Sequence, residues 1–400
     1  MKIIFSKNIF KNQLFLFILI FPFYPINAIN DTNFQNIFVV IEACCLLVVW
    51  IKIKKITPAF AWAILFFVFL TISTLMNNVL NIQYALFYSI RIVAFFMLIE
   101  ICFFYNELNV LKVIDTYVFI LFTINLFFQV FYQDYWGYTV SKNYVNFFVS
   151  DNELPFFVIP YICVCLFRME IFSENKIFAI LKIGVVYLNL LMAWCASGII
   201  STSICLLLIA IVSKFKLKKI ANFKNAIIGI CGMYYFLVFA NGIGVVDTLT
   251  IKLFGKSLGG ARSNIWESAI ENIKNKFWFG YGTAQSGRMS INYVNSYSKW
   301  YSHNFILEYL IQGGVVLFLL YLIGLAMIGK RSNELKRRDL EIVWVCVFFS
   351  MHIAYLTEGT IVEPTQYLLF LLGYHLKDLV NYKENSLWRR NDVSKTIRYC

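Results

Sequence analysis

Residues 303–328 read HNFILEYLIQGGVVLFLLYLIGLAMI, and the next ten, GKRSNELKRR, carry five basic side chains. The apolar run contains one acid, Glu308, and no Lys or Arg. A helix needs about 20 mostly apolar residues to cross the hydrocarbon core of a bilayer. The run is therefore a membrane helix, and its basic end marks the cytoplasmic side.

The same pattern recurs along the chain. Spans are expected at 12–29, 34–51, 58–76, 83–105, 113–133, 154–172, 177–195, 198–213, 225–245, 303–328, 341–359 and 364–380. Composition agrees: of 400 residues 60% are hydrophobic, 41 are Phe and only 14% are charged. A soluble domain carries about 25% charged residues, so soluble, secreted and disordered classes are excluded. The apolar runs are continuous rather than alternating, which excludes a β-barrel. The fold class is all-α, a polytopic membrane bundle of about 12 transmembrane helices with one helical loop domain. Lys2, Lys7 and Lys11 before the first run resemble a signal peptide, but Ile26 makes a poor cleavage site, so a retained helix is expected.

Lysines and arginines fix the orientation. Lys52, Lys54 and Lys55, then Lys214, Lys216, Lys218, Lys219 and Lys224, then Lys330, Arg331, Lys336, Arg337 and Arg338 fall on one side. The opposite short loops, 30–33, 77–82, 196–197 and 360–363, have none. Both termini are then cytoplasmic. The net charge of +13 is explained by these loops rather than by nucleic acid. Nine of the ten Cys lie in or beside apolar runs, with no zinc spacing, so no metal is expected.

Four segments follow: nine spans over 1–245, an outer loop at 246–302, three spans over 303–380 and a cytoplasmic tail at 381–400. The loop holds seven basic residues, including Arg262 and Arg288, against three acids. An outward basic surface beside a membrane suits an anion. Within it, Asn264 and Glu267 suggest a helix start with a reciprocal cap. Trp266, Ile270, Ile273 and Phe277 recur at helical spacing, and Gly280 and Gly282 end the helix. The turn Gly259-Gly260-Ala261 delivers Arg262 beside a helix N-terminus, where a phosphate group would fit. His303 sits at the outer water boundary, where an imidazole can take a proton.

Arg91 lies eight residues from the outer end of its span, about 12 Å deep. At that depth it needs a partner or a wet cavity. Glu42 and His352 lie at similar depth, which suggests one shared cavity or an Arg91–Glu42 ion pair. Glu358 and Glu363 either bind substrate hydroxyls, serve as an alternative base or are solvated end residues. Gly255-Lys256-Ser257 lacks the glycine that a phosphate-binding loop needs five residues earlier, where Thr250 stands. Asp151-Asn152-Glu153 reads as a helix start before Leu154-Pro155 rather than a metal pair.

The order Arg262, Trp266, Ala269, Gly280-Tyr281-Gly282, His303-Asn304 and Gly313-Gly314 over 259–325 resembles the O-antigen ligase and O-antigen polymerase superfamily. These are integral glycosyltransferases of the bacterial inner membrane. The resemblance implies a glycan on undecaprenyl pyrophosphate as donor at the periplasmic face, with no cofactor and no metal. Arg262 would hold the pyrophosphate, with contacts added by Arg91 and Arg288. His303 would activate or orient the acceptor hydroxyl, supported by Asn304, Glu42, His352 and Glu358. A Ser-Arg pair common in the family is replaced here by Ala196-Ser197-Gly198. The implied product is O-antigen or capsular polysaccharide, made by a polymerase. The alternatives are a ligase that transfers glycan onto lipid A core and, in another class, a flippase for the same lipid-linked units. The flippase is disfavoured because the chain shows no two related halves. Membrane lipids, a flippase and a chain-length regulator are the implied partners.

Overall fold

A computed structural model describes residues 10–24, 26, 32–77, 82–105, 108–132, 147–215, 217, 219–239, 243–255, 262–283, 289–293, 296–300, 302–335, 339–359, 361 and 363–384. Fourteen helices run in order: α1 (Gln13–Ile20), α2 (Thr32–Ile53), α3 (Pro58–Asn77), α4 (Ile82–Phe104), α5 (Asn109–Phe131), α6 (Pro155–Phe172), α7 (Lys176–Met192), α8 (Ala196–Lys214), α9 (Phe223–Tyr234), α10 (Ile243–Phe254), α11 (Arg262–Asn275), α12 (Phe305–Asn333), α13 (Asp339–Tyr355) and α14 (Pro364–Tyr374). Beyond α14 the chain is helical again over 376–384.

Among the described residues, seven helices are long and apolar enough to cross a membrane: α2, α3, α4, α5, α6, α8 and α12. The chain is a multi-pass helical membrane protein, although length and composition do not reach the expected twelve spans. The stretch expected as one span at 225–245 is broken. Helix α9 stops at Tyr234, a π-turn follows over Tyr235–Phe239, and α10 begins afresh at Ile243.

The segment 246–302, expected as a helical loop domain, is also not wholly helical. Strands β1 (Met289–Tyr293) and β2 (Ser296–Trp300) form an antiparallel hairpin with Ile291 opposite Ser298. In β1 polar and apolar residues alternate, Ser290-Ile291-Asn292-Tyr293, and a period of two suits a strand, whereas in β2 two polar residues, Ser298 and Lys299, stand side by side. Residues 256–261, which include the expected Gly259–Ala261 turn, and 284–288, which include Arg288, lie outside the described residues, as do 133–146 and 385–400.

The core is aromatic. Trp62 of α3 stacks on Phe370 of α14 at 4.4 Å between ring centres and donates its indole N–H to the Leu320 carbonyl of α12 at 2.6 Å. Gly324 of α12 lets those rings approach, since a side chain there would meet Phe370 at 2.7 Å. Helix α14 packs on α4, α6, α12 and α13, and α13 packs on α6, α8 and α9. At the end of the bundle away from His303, carboxylates tie helices together. Asp115 of α5 receives Arg168 of α6 and Lys182 of α7, and His375 bridges Glu100 of α4 at 2.9 Å and Asp378 at 2.7 Å.

Helix α12 is not continuous. Gly314, the tenth residue of α12, adopts φ 64° and ψ −165°, which breaks the helix where it meets the loop segment 276–283. Backbone groups released inside a membrane must find partners. The Ile311 and Gln312 carbonyls accept from Tyr281 N at 2.7 Å and Gly282 N at 2.8 Å. Val315 N and Val316 N donate to the Phe277 and Trp278 carbonyls at 2.9 and 3.3 Å. Ser73 of α3 donates to the Gln312 carbonyl at 2.9 Å and also reaches the Phe279 carbonyl, and Thr74 accepts from Thr283 N at 2.8 Å. The loop segment is thus wedged between α3 and the break in α12.

This wedge explains the glycines. Gly280 and Gly282 have φ of 63° and 76°, a region that costs other residues about 1–2 kcal/mol. A Cβ on Gly280 would press on the Ile311 carbonyl oxygen and lie 2.7 Å from Gly313 N. One on Gly314 would press on the Trp278 carbonyl. The two glycine pairs noted in the sequence therefore touch one another.

Candidate active site

The ends of α6, α8, α12, α13 and α14 that carry Glu153, Cys195, His303, Glu358 and Glu363 gather on one face of the bundle, because successive packed helices alternate in direction. The loop helix α11 joins them there. It begins at Arg262, two residues earlier than the Asn264–Glu267 pair suggested, so that pair lies inside the helix and not at its start. Its apolar face, Ile265, Trp266, Ala269 and Ile273, is buried on Leu307 and Ile311 of α12. Phe277, expected on that face, is 46% exposed beyond the end of the helix.

Packing α11 on α12 brings Arg262 toward the start of α12. Arg262 lies within electrostatic reach of Glu358, Cys195 and Asp247. Burial presses its pKa down from the usual value, and Glu358 opposes that most strongly. The Glu358 carboxylate also meets His303, with Nδ1 and Oε2 3.1 Å apart. Arg262, Glu358 and His303 therefore converge, with Glu358 between the two basic groups. Cys195 precedes the Ala196-Ser197-Gly198 turn, so Arg262 approaches the turn in which this chain lacks an arginine.

His303 has a left-handed backbone, φ 50°. Asn304 caps α12, accepting from Leu307 N at 3.2 Å, and donates to the Leu356 carbonyl at 3.4 Å. The residue before His303 is held as firmly: the Ser302 carbonyl accepts from the Trp266 indole at 3.1 Å.

Arg91 reaches the same face by a different route. Its partners are Glu363, 3.8 Å away, and the Phe23 carbonyl at 3.3 Å. The expected Arg91–Glu42 pair does not form, and the Glu42 Oε1 has no hydrogen-bond partner among the described residues. Equal depth does not fix rotation about a helix axis, and Glu42 points elsewhere. Nor does His352 join Arg91. It bonds to Tyr321 at 3.0 Å and to the Phe348 carbonyl at 2.9 Å, edge-on to Phe305. The one cavity expected for Glu42, Arg91 and His352 is replaced by three separate environments.

Two carboxylates matter more than the sequence suggested. Burial pushes Glu363 up to about 7, while Arg91 pulls it down and Glu153 adds to the rise. Glu153 acts in the same way on Glu358, together with Asp151. The Asp151–Glu153 turn does start a helix, with Ser150 and Glu153 closing a reciprocal cap. Through Glu153 that turn also acts on both the Arg262–Glu358 group and the Arg91–Glu363 group, a reach that its reading as a helix start did not reveal. Among the described residues no three His, Cys, Asp or Glu side chains are disposed to hold a metal ion.

Residues 177–322, from α7 into α12, match the O-antigen ligase family. The chain is also 25% identical over 205 residues to the ComP-specific O-oligosaccharyltransferase of Acinetobacter baylyi, an alignment that takes in 47% of this chain and 36% of that protein. The chain thus spans little more than a third of that relative's length. The family stretch encloses α11, the hairpin, Arg262, His303 and both glycine pairs. The two matches bear out the resemblance to the O-antigen ligase and polymerase superfamily read from those residues.

Proposed function

We propose that the chain transfers an oligosaccharide from a lipid pyrophosphate to an acceptor hydroxyl at the outer face of the bacterial inner membrane. The convergence of Arg262, Glu358 and His303 at one end of the bundle carries this reading. In the step, the acceptor oxygen attacks the anomeric carbon, the bond from that carbon to the pyrophosphate breaks, and the lipid pyrophosphate leaves. With Nδ1–H donated to Glu358, His303 presents Nε2 to take the acceptor proton. Arg262 stabilises the charge that develops on the leaving group, with Arg91 and Arg288 as further cations. Glu358 and Asn304 orient the histidine. The Lys- and Arg-rich loops on the opposite side support a periplasmic position for these residues.

The donor of this reading is an undecaprenyl-pyrophosphate oligosaccharide repeat unit, and the reaction is its polymerisation for O-antigen or capsule. The second reading is transfer to a different acceptor, favoured by the names of the matched family and of the relative. Purified protein in vesicles, given the lipid-linked repeat alone, distinguishes them. A ladder of lengthened lipid-linked chains supports the polymerase. Transfer only after lipid A core or an acceptor protein is added supports the second reading. Movement of the lipid-linked repeat across the bilayer without any lengthening or transfer refutes both.

A further inference from the structure

We infer that Glu308 is the positioning residue of this site: it holds His303 in its left-handed conformation by clamping Ser302. The inference rests on the reading above for its catalytic meaning, but its geometry stands alone. Glu308 lies in the first turn of α12 and is 1% exposed. Its Oε2 accepts from Ser302 N at 3.1 Å and Ser302 Oγ at 2.6 Å, and its Oε1 accepts from Gln312 Nε2 at 2.7 Å. Both carboxylate oxygens are thus used, and none of the three bonds goes to His303 itself.

The arrangement solves a backbone problem. A non-glycine residue at φ 50° persists only where its neighbours are over-determined. Asn304 is fixed by its cap bond and by Leu356. Ser302 is fixed through its carbonyl by Trp266, and through its N–H and hydroxyl by Glu308. Without Glu308 the Ser302 N–H loses its acceptor in a buried place, and the hydroxyl turns from Glu308 to the Asn304 carbonyl, 2.9 Å away. The peptide before His303 can then rotate, and the imidazole leaves Glu358. A carboxylate buried in an apolar helix is expensive and marks a function by default. Here it sits at the positive end of the helix dipole, which offsets part of that cost.

Substitutions separate positioning from proton chemistry. In Glu308→Gln the amide oxygen still accepts from Ser302. Its NH2 can donate to Gln312 Oε1, a buried atom without a hydrogen-bond partner, once the Gln312 amide turns over. Glu308→Gln therefore keeps the clamp, and Glu308→Leu removes it. Ser302→Ala removes the hydroxyl half of the clamp together with the hydroxyl's bonds to Asn304.

The chain has three histidines, so ring-13C-labelled histidine gives three NMR signals, with His303 assigned by its own substitution. His352 and His375 lie in other surroundings and report whether the fold survives. In full-length protein in nanodiscs, Glu308→Leu and Ser302→Ala are expected to shift the His303 signal and its titration midpoint, while Glu308→Gln leaves both in place. The inference is overturned if Ser302→Ala leaves the His303 signal at its wild-type position, or if Glu308→Gln moves it as far as Glu308→Leu does. Should all three signals move in Glu308→Leu, the fold is disturbed, and Ser302→Ala against Glu308→Gln decides. In the transfer assay, Glu308→Leu should lower kcat about 100-fold with KM little changed, and Glu308→Gln should restore it. If wild-type protein transfers nothing, the proposed function fails while the NMR result still judges the clamp.

Discussion

Replacing Gly280 with Ala tests whether the outer loop and α12 form one unit. The new Cβ would press on the Ile311 carbonyl oxygen and sit 2.7 Å from both the Gln312 carbonyl carbon and Gly313 N, all of them backbone atoms with little freedom to move. The left-handed conformation at φ 63° adds about 1–2 kcal/mol for any residue with a side chain. If the clash parts the segments, four hydrogen bonds go: Tyr281 to Ile311, Gly282 to Gln312, Val315 to Phe277 and Val316 to Trp278. At about 1 kcal/mol each, that is about 4 kcal/mol, and the total loss is about 5–6 kcal/mol. Gly184→Ala is the control, because nothing lies within 4 Å of the added atom. Thermal unfolding in detergent should show a large fall in the midpoint for Gly280→Ala and none for Gly184→Ala. Hydrogen exchange at Val315 and Val316 should quicken only in the former. Equal midpoints for the two variants would refute the argument that these backbones interlock.

Arg262→Lys keeps the charge but loses the planar fork, and transfer should fall about 100-fold at unchanged protein level; retained activity sinks bidentate phosphate binding there. Arg91→Lys tests the same idea deeper in the bundle, and normal transfer by that variant would leave Arg91 only its ion pair with Glu363. Because Glu363 is raised to about 7, the folded protein holds that proton more tightly than the unfolded chain does. Its contribution to stability is full below about pH 4.5 and is lost as pH rises through about 7. The difference in thermal midpoint between wild type and Glu363→Gln should change across that window, and a flat difference contradicts the shift. Glu42→Leu removes a buried carboxylate whose Oε1 is unpaired, so the variant should be more stable by about 1–3 kcal/mol in chemical unfolding.

How far the sequence reached depends on the range of the interaction. Long apolar runs announce helices such as α3, α4 and α12 because crossing a bilayer is a local demand on about 20 residues. The loop helix was legible from Trp266, Ile270 and Ile273, but its start was not, since Asn264 offers a cap at a position that lies two residues inside the helix. Partners across helices were harder. Depth along the chain gave Arg91 a level but no direction, which is why Glu363 and not Glu42 receives it. Glu153 was visible as a helix cap, yet its reach to Glu358 and Glu363 depends on how α6, α13 and α14 pack. Glu308 did carry a signal, a lone acid in a membrane helix, but nothing local tied it to Ser302. The two glycine pairs were noticed as spaced motifs, and only the folded chain shows that they are two sides of one contact.

The break in α12 also orders events during synthesis. Its exposed carbonyls and amides are matched by Ser73 and by residues 277–282, all of which leave the ribosome before Gly314 does. When the broken helix enters the bilayer its partners are already made, so it need never dwell in lipid with bare peptide groups. Moving those partners downstream of α12 by circular permutation would expose the break during insertion, and the permuted protein should be caught by quality-control proteases even though its finished contacts are the same.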